Sequence, residues 1–276
     1  MTERTPLDAN RANWDERVAG HLRAYDADGF VADPDRISQV VRDDLPLMAP
    51  HLPNGTVAGL SLAHLQCHIG TDTLSFARLG ARVTGIDFSG EAVAAAARSL
   101  AERAGLDARF VQSTVDEASV AVTEKFDVVY TSIGVLVWLR DLGAWARTIR
   151  GLLKPGGLFY IREAHPMAMG LNPDRDDDML ELVYPYFHSP EPMRFDNDSS
   201  YTGDAKLSNT TNYEWRHPIS EILGALLGAG LTIEAFQEQD TLPWQYLPTM
   251  VPENGNWVLA EGRDLVPLTF SIAARG

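Results

Sequence analysis

The sequence predicts an α/β protein built on a mostly parallel sheet with helices on both faces. Short apolar runs of β type alternate with longer stretches of helical periodicity through the first 165 residues. Gly80 and Gly105 follow two of the helical stretches, and Lys154-Pro155-Gly156-Gly157 stops a third. A β-α-β-α order of this kind makes successive strands parallel and leaves both sheet faces to be covered.

The strands are expected at 60–65, 82–87, 109–112, 126–132 and 158–163, and the helices at 71–79, 90–104 and 142–153. From Ala164 to His217 the alternation fails. That stretch is rich in Asp, Pro and aromatics (DRDDD, YPYFHSPEPMRFDNDSSY), with β-type pieces only at 181–187 and 212–215. It is too long for a plain connection and reads as a functional cap. A helix at 219–229 follows, ended by Gly230, and runs at 231–238 and 266–273 look like a closing pair of strands around a loop with Trp244, Tyr246 and Trp257. Near the start, Trp14, Val18, His21 or Leu22, and Tyr25 share one helical face that packs on the rest of the chain. The expected organisation is a helical lid at 1–45 on a domain at 46–276, with the cap inserted at about 166–217.

With 38 acidic against 23 basic residues, a net charge of −15 argues against a nucleic-acid partner, which requires a basic face. A hydrophobic share of 45% is enough for a sizeable core. The single cysteine, Cys67, excludes an internal disulfide and is compatible with a reducing compartment. No apolar run approaches the roughly 18 residues of a membrane span, and the polar start lacks the centre of a secretory signal. A cytoplasmic protein, monomeric or homodimeric, is expected.

The chemistry concentrates at His64-Leu65-Gln66-Cys67-His68-Ile69-Gly70, where the first strand meets the first helix of the alternation. In an open α/β sheet ligands bind in that crevice. Asp87 ends the second strand, seventeen positions after Gly70. A carboxylate there can accept from both hydroxyls of a ribose, or it can act merely as an anion at a helix N-terminus. Gln66 and His68 stand where a dinucleotide loop has glycines, so a pyrophosphate would approach the backbone with difficulty. A nucleoside with an amino-acid tail, S-adenosylmethionine, fits better than a nicotinamide dinucleotide. His64, Cys67 and His68 cannot easily converge on one ion at a strand-to-helix turn, and no metal is expected.

The run LAHLQCHIGTDTLSFARLGARVTGIDFSGEAVAAAARSLAE resembles the first motif and acidic loop of class I S-adenosylmethionine-dependent methyltransferases. It is most similar to the subgroup with an LQCHxGxDT loop and an ExHP sequence after the fifth strand. FDVVYTSIGVLVWL, LLKPGGLFYIREAHP and PLTFSIAA continue the resemblance in order along most of the chain. It implies a Rossmann-like fold with a seven-stranded, mostly parallel sheet, its last strand antiparallel, and an inserted aromatic cap. It also implies methyl transfer to a small molecule, with S-adenosylhomocysteine as product. On the matching positions, Gln66, His68, Gly70, Asp72 and Thr73 would wrap the methionine part of the donor and Asp87 would hold the ribose. Phe88 and Ser89 would lie against the adenine, and Thr114, Val115 and Asp116 along its edge, although Thr114 stands where many relatives have Asp. Thr131, Ser132 and Ile133 would lie close to the meeting point of sulfonium and acceptor. Trp14, Arg17, His21 and Tyr25 would close over the donor, with Arg17 suited to its carboxylate.

Direct displacement at the methyl carbon needs an in-line geometry and, for some acceptors, a base. Glu163 and His165, two apart at the end of the fifth strand, would face one cleft and are the candidates. They can also be read as a turn cap and a strand break. Tyr184, Tyr186, Tyr201, Trp215 and Trp244 would line an acceptor pocket for a planar aromatic or heteroaromatic metabolite, in a role of specialised metabolism. The competing readings are a non-catalytic binder of the same donor and a nicotinamide-dependent oxidoreductase.

Overall fold

The computed structural model describes residues 5–199, 202–203 and 206–276; Tyr201, expected in the cap, lies outside the described residues. Three helices open the chain: α1 (Pro6–Ala24), α2 (Ala27–Ala32) and α3 (Gln39–Met48). The alternating half follows as β1 (Ser61–Leu65), α4 (Thr71–Arg78), β2 (Arg82–Asp87), α5 (Gly90–Ala94), a π-helical stretch Ala95–Ala101, α6 (Glu102–Ala104), β3 (Ala108–Gln112), α7 (Ala118–Ala121), β4 (Phe126–Thr131), α8 (Leu142–Leu152) and β5 (Leu153–Ala164). The remainder holds β6 (Met193–Asp196), β7 (Thr211–Glu214), α9 (Ile219–Gly228), β8 (Thr232–Gln239), β9 (Met250–Glu253), β10 (Asn256–Leu259) and β11 (Thr269–Arg275).

Among the described residues seven strands form the central sheet in the order β3-β2-β1-β4-β5-β11-β8. The pairs β1/β2, β1/β4, β2/β3 and β4/β5 are parallel, and β11 runs antiparallel to both neighbours. Winding reverses between β1 and β4, the position where open sheets of this kind bind ligands.

The period of two along a strand explains why both faces hold a core. In β5, Phe159 and Ile161 join the layer under α8 and α9, while Leu158 and Tyr160 join the layer with α3 residues Val41 and Met48. Helix α8 begins where the Asp141 carboxylate accepts from Ala144 N at 3.0 Å, and it buries Leu142, Trp145, Ile149 and Leu152 along one stripe.

Several expectations need adjustment. Residues 181–187 form no strand; Leu182 makes an isolated bridge with Leu171, and Val183 and Phe187 are exposed. Without a buried face, their β-type composition is not enough to hold a ladder. The expected lid boundary at 45/46 falls inside α3, which packs on the sheet. The inserted segment contributes the β6/β7 hairpin, and α1 docks on it: Asn10 Nδ2 donates to Tyr213 O (2.8 Å) and Asn10 Oδ1 accepts from Tyr213 N (2.7 Å), like one rung of a strand pair. Glu16 adds acceptors for Ser208 N and Asn209 N. No helix among the described residues is long and apolar enough to cross a membrane.

Candidate active site

The carboxyl ends of β1, β2 and β4 open into a cavity of about 830 Å³, roofed by α1 and the insertion. That volume is ordinary for a small-molecule site, for which roughly 300–1,000 Å³ is typical.

The loop after β1 forms its floor. Gln66 and His68 adopt φ of 56° and 49°, the left-handed region that glycine would take without cost. They hold the loop shape of a glycine-rich turn while keeping side chains, a strained conformation of the kind found at functional sites. Gly70 is different: its φ is 81°, and a Cβ would sit 2.8 Å from the Phe110 ring and 2.9 Å from Ala96 Cβ, so no side chain fits. Gln66 Nε2 donates to Val135 O at 3.1 Å, and its Oε1 is buried without a partner among the described residues.

Asp87 ends β2 beside this loop. Its Oδ2 accepts from His68 N (2.8 Å) and its Oδ1 from Ser89 N (2.9 Å), leaving acceptor capacity on both oxygens. Burial raises its carboxyl to about 6. Asp72, in the first turn of α4, lines the same cavity and is also lifted to about 6 by burial.

Above the loop Trp14 meets His68 edge-on at 5.1 Å and Trp138 at 5.4 Å, with the Arg17 guanidinium 5.2 Å from its ring. His21 lies beneath, its Nδ1 2.7 Å from His68 Nε2. Burial and the Arg17 charge hold His21 down to about 4, so at neutral pH the pair shares a proton between two uncharged rings. His64 and Cys67 are buried; the His64 ring spans Thr73 Oγ1 (2.8 Å) and Ser132 Oγ (3.0 Å), and burial pushes the Cys67 thiol up, away from reactivity.

Of the residues singled out in the sequence, Trp14, Arg17, Tyr25, Gln66, His68, Asp72, Asp87, Phe88, Ser132, Ile133, Glu163 and Trp244 line the cavity. His21, Gly70, Thr73 and Ser89 stand behind that wall; Ser89 caps α5 by accepting from Ala92 N and donates to Asp15. Thr114, Val115, Asp116 and Thr131 are not part of the lining; Thr114 donates to Glu117 and Val115 packs in the core.

The two base candidates part company. Glu163 reaches the cavity wall, but its carboxylate is committed: Oε1 accepts from Gly134 N (2.6 Å) and Ala164 N (2.7 Å), Oε2 from Val135 N (2.8 Å) and Leu136 N (2.9 Å). It caps the turn after β4. His165 is not in the lining; β5 ends at Ala164, so strand alternation no longer aims it, and its Nε2 lies 3.0 Å from Glu238 on β8. Of the cap aromatics, Trp215 is buried with its N bonded to Val137 O, Tyr186 Oη accepts from Ile219 N, and Tyr184 lies under Arg216; none of the three lines the cavity. Trp138, Tyr246, Asn212, Glu214 and Arg216 do. Trp138 stands inside a quoted motif, and its aromatic character was the available signal. A trio of possible metal ligands not expected from spacing, His188, His217 and Glu221, gathers at the end of β7, but Leu139 O and Arg216 O already engage the two rings.

A family model described as "Methyltransferase domain" matches residues 63–159, the span from β1 into β5. Over that span the chain is similar to a methyltransferase domain. Solved structures agree on the fold: an S-adenosylmethionine-dependent methyltransferase from Mesorhizobium loti superposes with a TM-score of 0.58 over 84% of this chain and 97% of that one, at 19% identity. A glycopeptide N-methyltransferase, MtfA, bound to S-adenosylmethionine gives 0.54 over 86% and 94%, at 16% identity. Among sequences, the chain is 36% identical over 104 residues to a ubiquinone biosynthesis O-methyltransferase of Methylobacterium sp. (strain 4-46), covering 38% of this chain and 41% of that one. Its counterpart from Caulobacter vibrioides is 37% identical over 103 residues, 37% and 40% of the two chains. The match thus spans about two fifths of these relatives' length.

Proposed function

We propose that this chain transfers a methyl group from S-adenosylmethionine to a small aromatic or heteroaromatic acceptor by in-line displacement. The observation that carries the reading is Asp87, held by two backbone N–H groups at the mouth of a cavity floored by a left-handed loop and large enough for a small molecule. Gln66 Oε1, buried without a hydrogen-bond partner among the described residues, is a further acceptor.

When bound, the donor supplies a methyl carbon on a sulfonium, whose leaving group needs no proton. Asp87 accepts from the ribose hydroxyls, and Arg17 offers a cation to the carboxylate of the amino-acid tail. Trp14, Phe88 and Trp138 exclude water and present ring faces that attract a sulfonium by roughly 0.5–2 kcal/mol per contact. Holding acceptor and methyl carbon at near-attack distance does most of the catalytic work in such a site. Where an acceptor must lose a proton, Glu214 is the carboxylate placed for it: it lines the cavity from β7, and burial holds it above the usual carboxylate range. Retained side chains at Gln66 and His68 disfavour a pyrophosphate, which speaks against the nicotinamide reading.

Thermal shifts separate the readings: stabilisation by S-adenosylhomocysteine with none by NAD supports the proposal, and the reverse sinks it. A labelled-methyl assay against small aromatic acceptors, with mass spectrometry of the product, separates an enzyme from a silent binder. Asp87→Ala is expected to weaken S-adenosylhomocysteine binding by about 1.5–3 kcal/mol, roughly ten- to a hundredfold, as for hydrogen bonds to a charged group. An unchanged Kd by calorimetry would remove the ribose assignment.

The pH dependence has a defined sign. Asp87 must be ionised to accept two hydroxyls, and its carboxyl sits at about 6. Affinity for S-adenosylhomocysteine is therefore expected to fall as pH drops from 7 toward 5. Asp87→Asn should flatten the profile, any remaining slope reporting Asp72.

A further inference from the structure

Arg216 is the least explained group in the cavity wall. It is 7% exposed and lines the cavity directly after β7. Its Nε is buried without a hydrogen-bond partner among the described residues, and no side-chain hydrogen bond of its guanidinium to them is found. Its contacts are an ion pair with Glu214 at 3.7 Å, beyond hydrogen-bond reach, and the Tyr184 ring 5.4 Å below the guanidinium carbon. A buried guanidinium N–H without an acceptor is costly unless a ligand supplies one.

The charged groups around it point the same way. Arg17 stands at the loop end, against Trp14, which touches His68. Arg216 stands just after β7, over Tyr184, with Trp244 and Tyr246 also in the wall. Glu214 is the carboxylate near both arginines, and burial raises it while the two cations oppose that shift. On the reading that the donor's carboxylate takes Arg17, Arg216 remains with Glu214 at 3.7 Å as its ion-pair partner and with its Nε unfilled among the described residues.

We infer that the methyl acceptor carries a carboxylate, received by Arg216 over the Tyr184 ring. A guanidinium fork matches a carboxylate with two parallel N–H···O bonds, which fixes orientation as well as charge. Arg216 is then a specificity-determining residue: it holds the acid group while Trp244 and Tyr246 pack against the acceptor's ring. The inference rests on the proposed methyl transfer, since it needs the acceptor to occupy this cavity.

The test is calorimetry on the full chain saturated with S-adenosylhomocysteine, titrated with 4-hydroxybenzoate, indole-3-carboxylate and their primary amides. At least one acid is expected to bind about tenfold or more tightly than its amide. Arg216→Met should abolish that preference while leaving S-adenosylhomocysteine affinity as it is, and Arg216→Lys should keep part of it. Equal binding of acids and amides by the unaltered protein, or no binding of any of them, overturns the inference without needing a variant. Failure of S-adenosylhomocysteine itself to bind overturns the methyl-transfer reading instead, so the two failures are distinct.

Discussion

Asp44→Ala is expected to lower the stability of the fold by about 3–5 kcal/mol, the range for breaking one side of a buried ion pair. Asp44 on α3 is fully buried, and its Oδ1 accepts from Arg162 Nε at 2.5 Å while its Oδ2 accepts from the Tyr130 hydroxyl at 2.5 Å. Burial alone would favour the neutral acid; the Arg162 charge and the Tyr130 hydrogen bond oppose that. Without Asp44, Arg162 on β5 keeps only Asp43 at 3.6 Å and a long contact to Val40 O, and the Tyr130 hydroxyl loses its acceptor. Against a total of roughly 5–15 kcal/mol, such a loss is a large fraction of the whole. Urea unfolding measures it. A loss below about 1 kcal/mol would mean that water enters and solvates Arg162, and the double variant Asp44→Ala/Arg162→Met should recover much of the deficit, because the stranded charge is gone.

Glu163→Gln is expected to cost about 2–6 kcal/mol, since the new amide places a donor against two of the four backbone N–H groups that now share the carboxylate, at about 1–3 kcal/mol for each one stranded. The turn it pins, Gly134 to Leu136, leads into Trp138 and lines the cavity. Donor affinity and unfolding midpoint should therefore fall together. A variant that is as stable as the parent and binds the donor normally, yet turns over without the parent's acidic pH limb, would restore Glu163 as a base.

The alternating half of the fold was legible because its signals are local. β2 occupies 82–87 as the apolar run suggests, and helix 142–152 starts at a capping Asp and carries its apolar stripe at helical spacing. The loop after β1 was legible for a subtler reason: Gln66 and His68 mark positions where the backbone must turn left-handed, and it does so with the side chains in place. At 181–187 the same kind of local reading failed, because composition suited to a strand has no neighbouring ladder to join. His165 failed at a strand end, where a period of two ceases to predict direction.

Sequence by itself determined the alternation of β1 to β5 with their helices, the turn after β1 and the acidic residue that ends β2, since each follows from side chains a few positions apart acting on one backbone. Only the tertiary structure decided which aromatics line the cavity, that Glu163 serves a turn, and that Arg216 lines the cavity with its Nε unpartnered among the described residues. Those outcomes depend on pairings such as Asn10 with Tyr213, 203 positions apart, which α1 and the insertion make only once both have docked on the finished sheet.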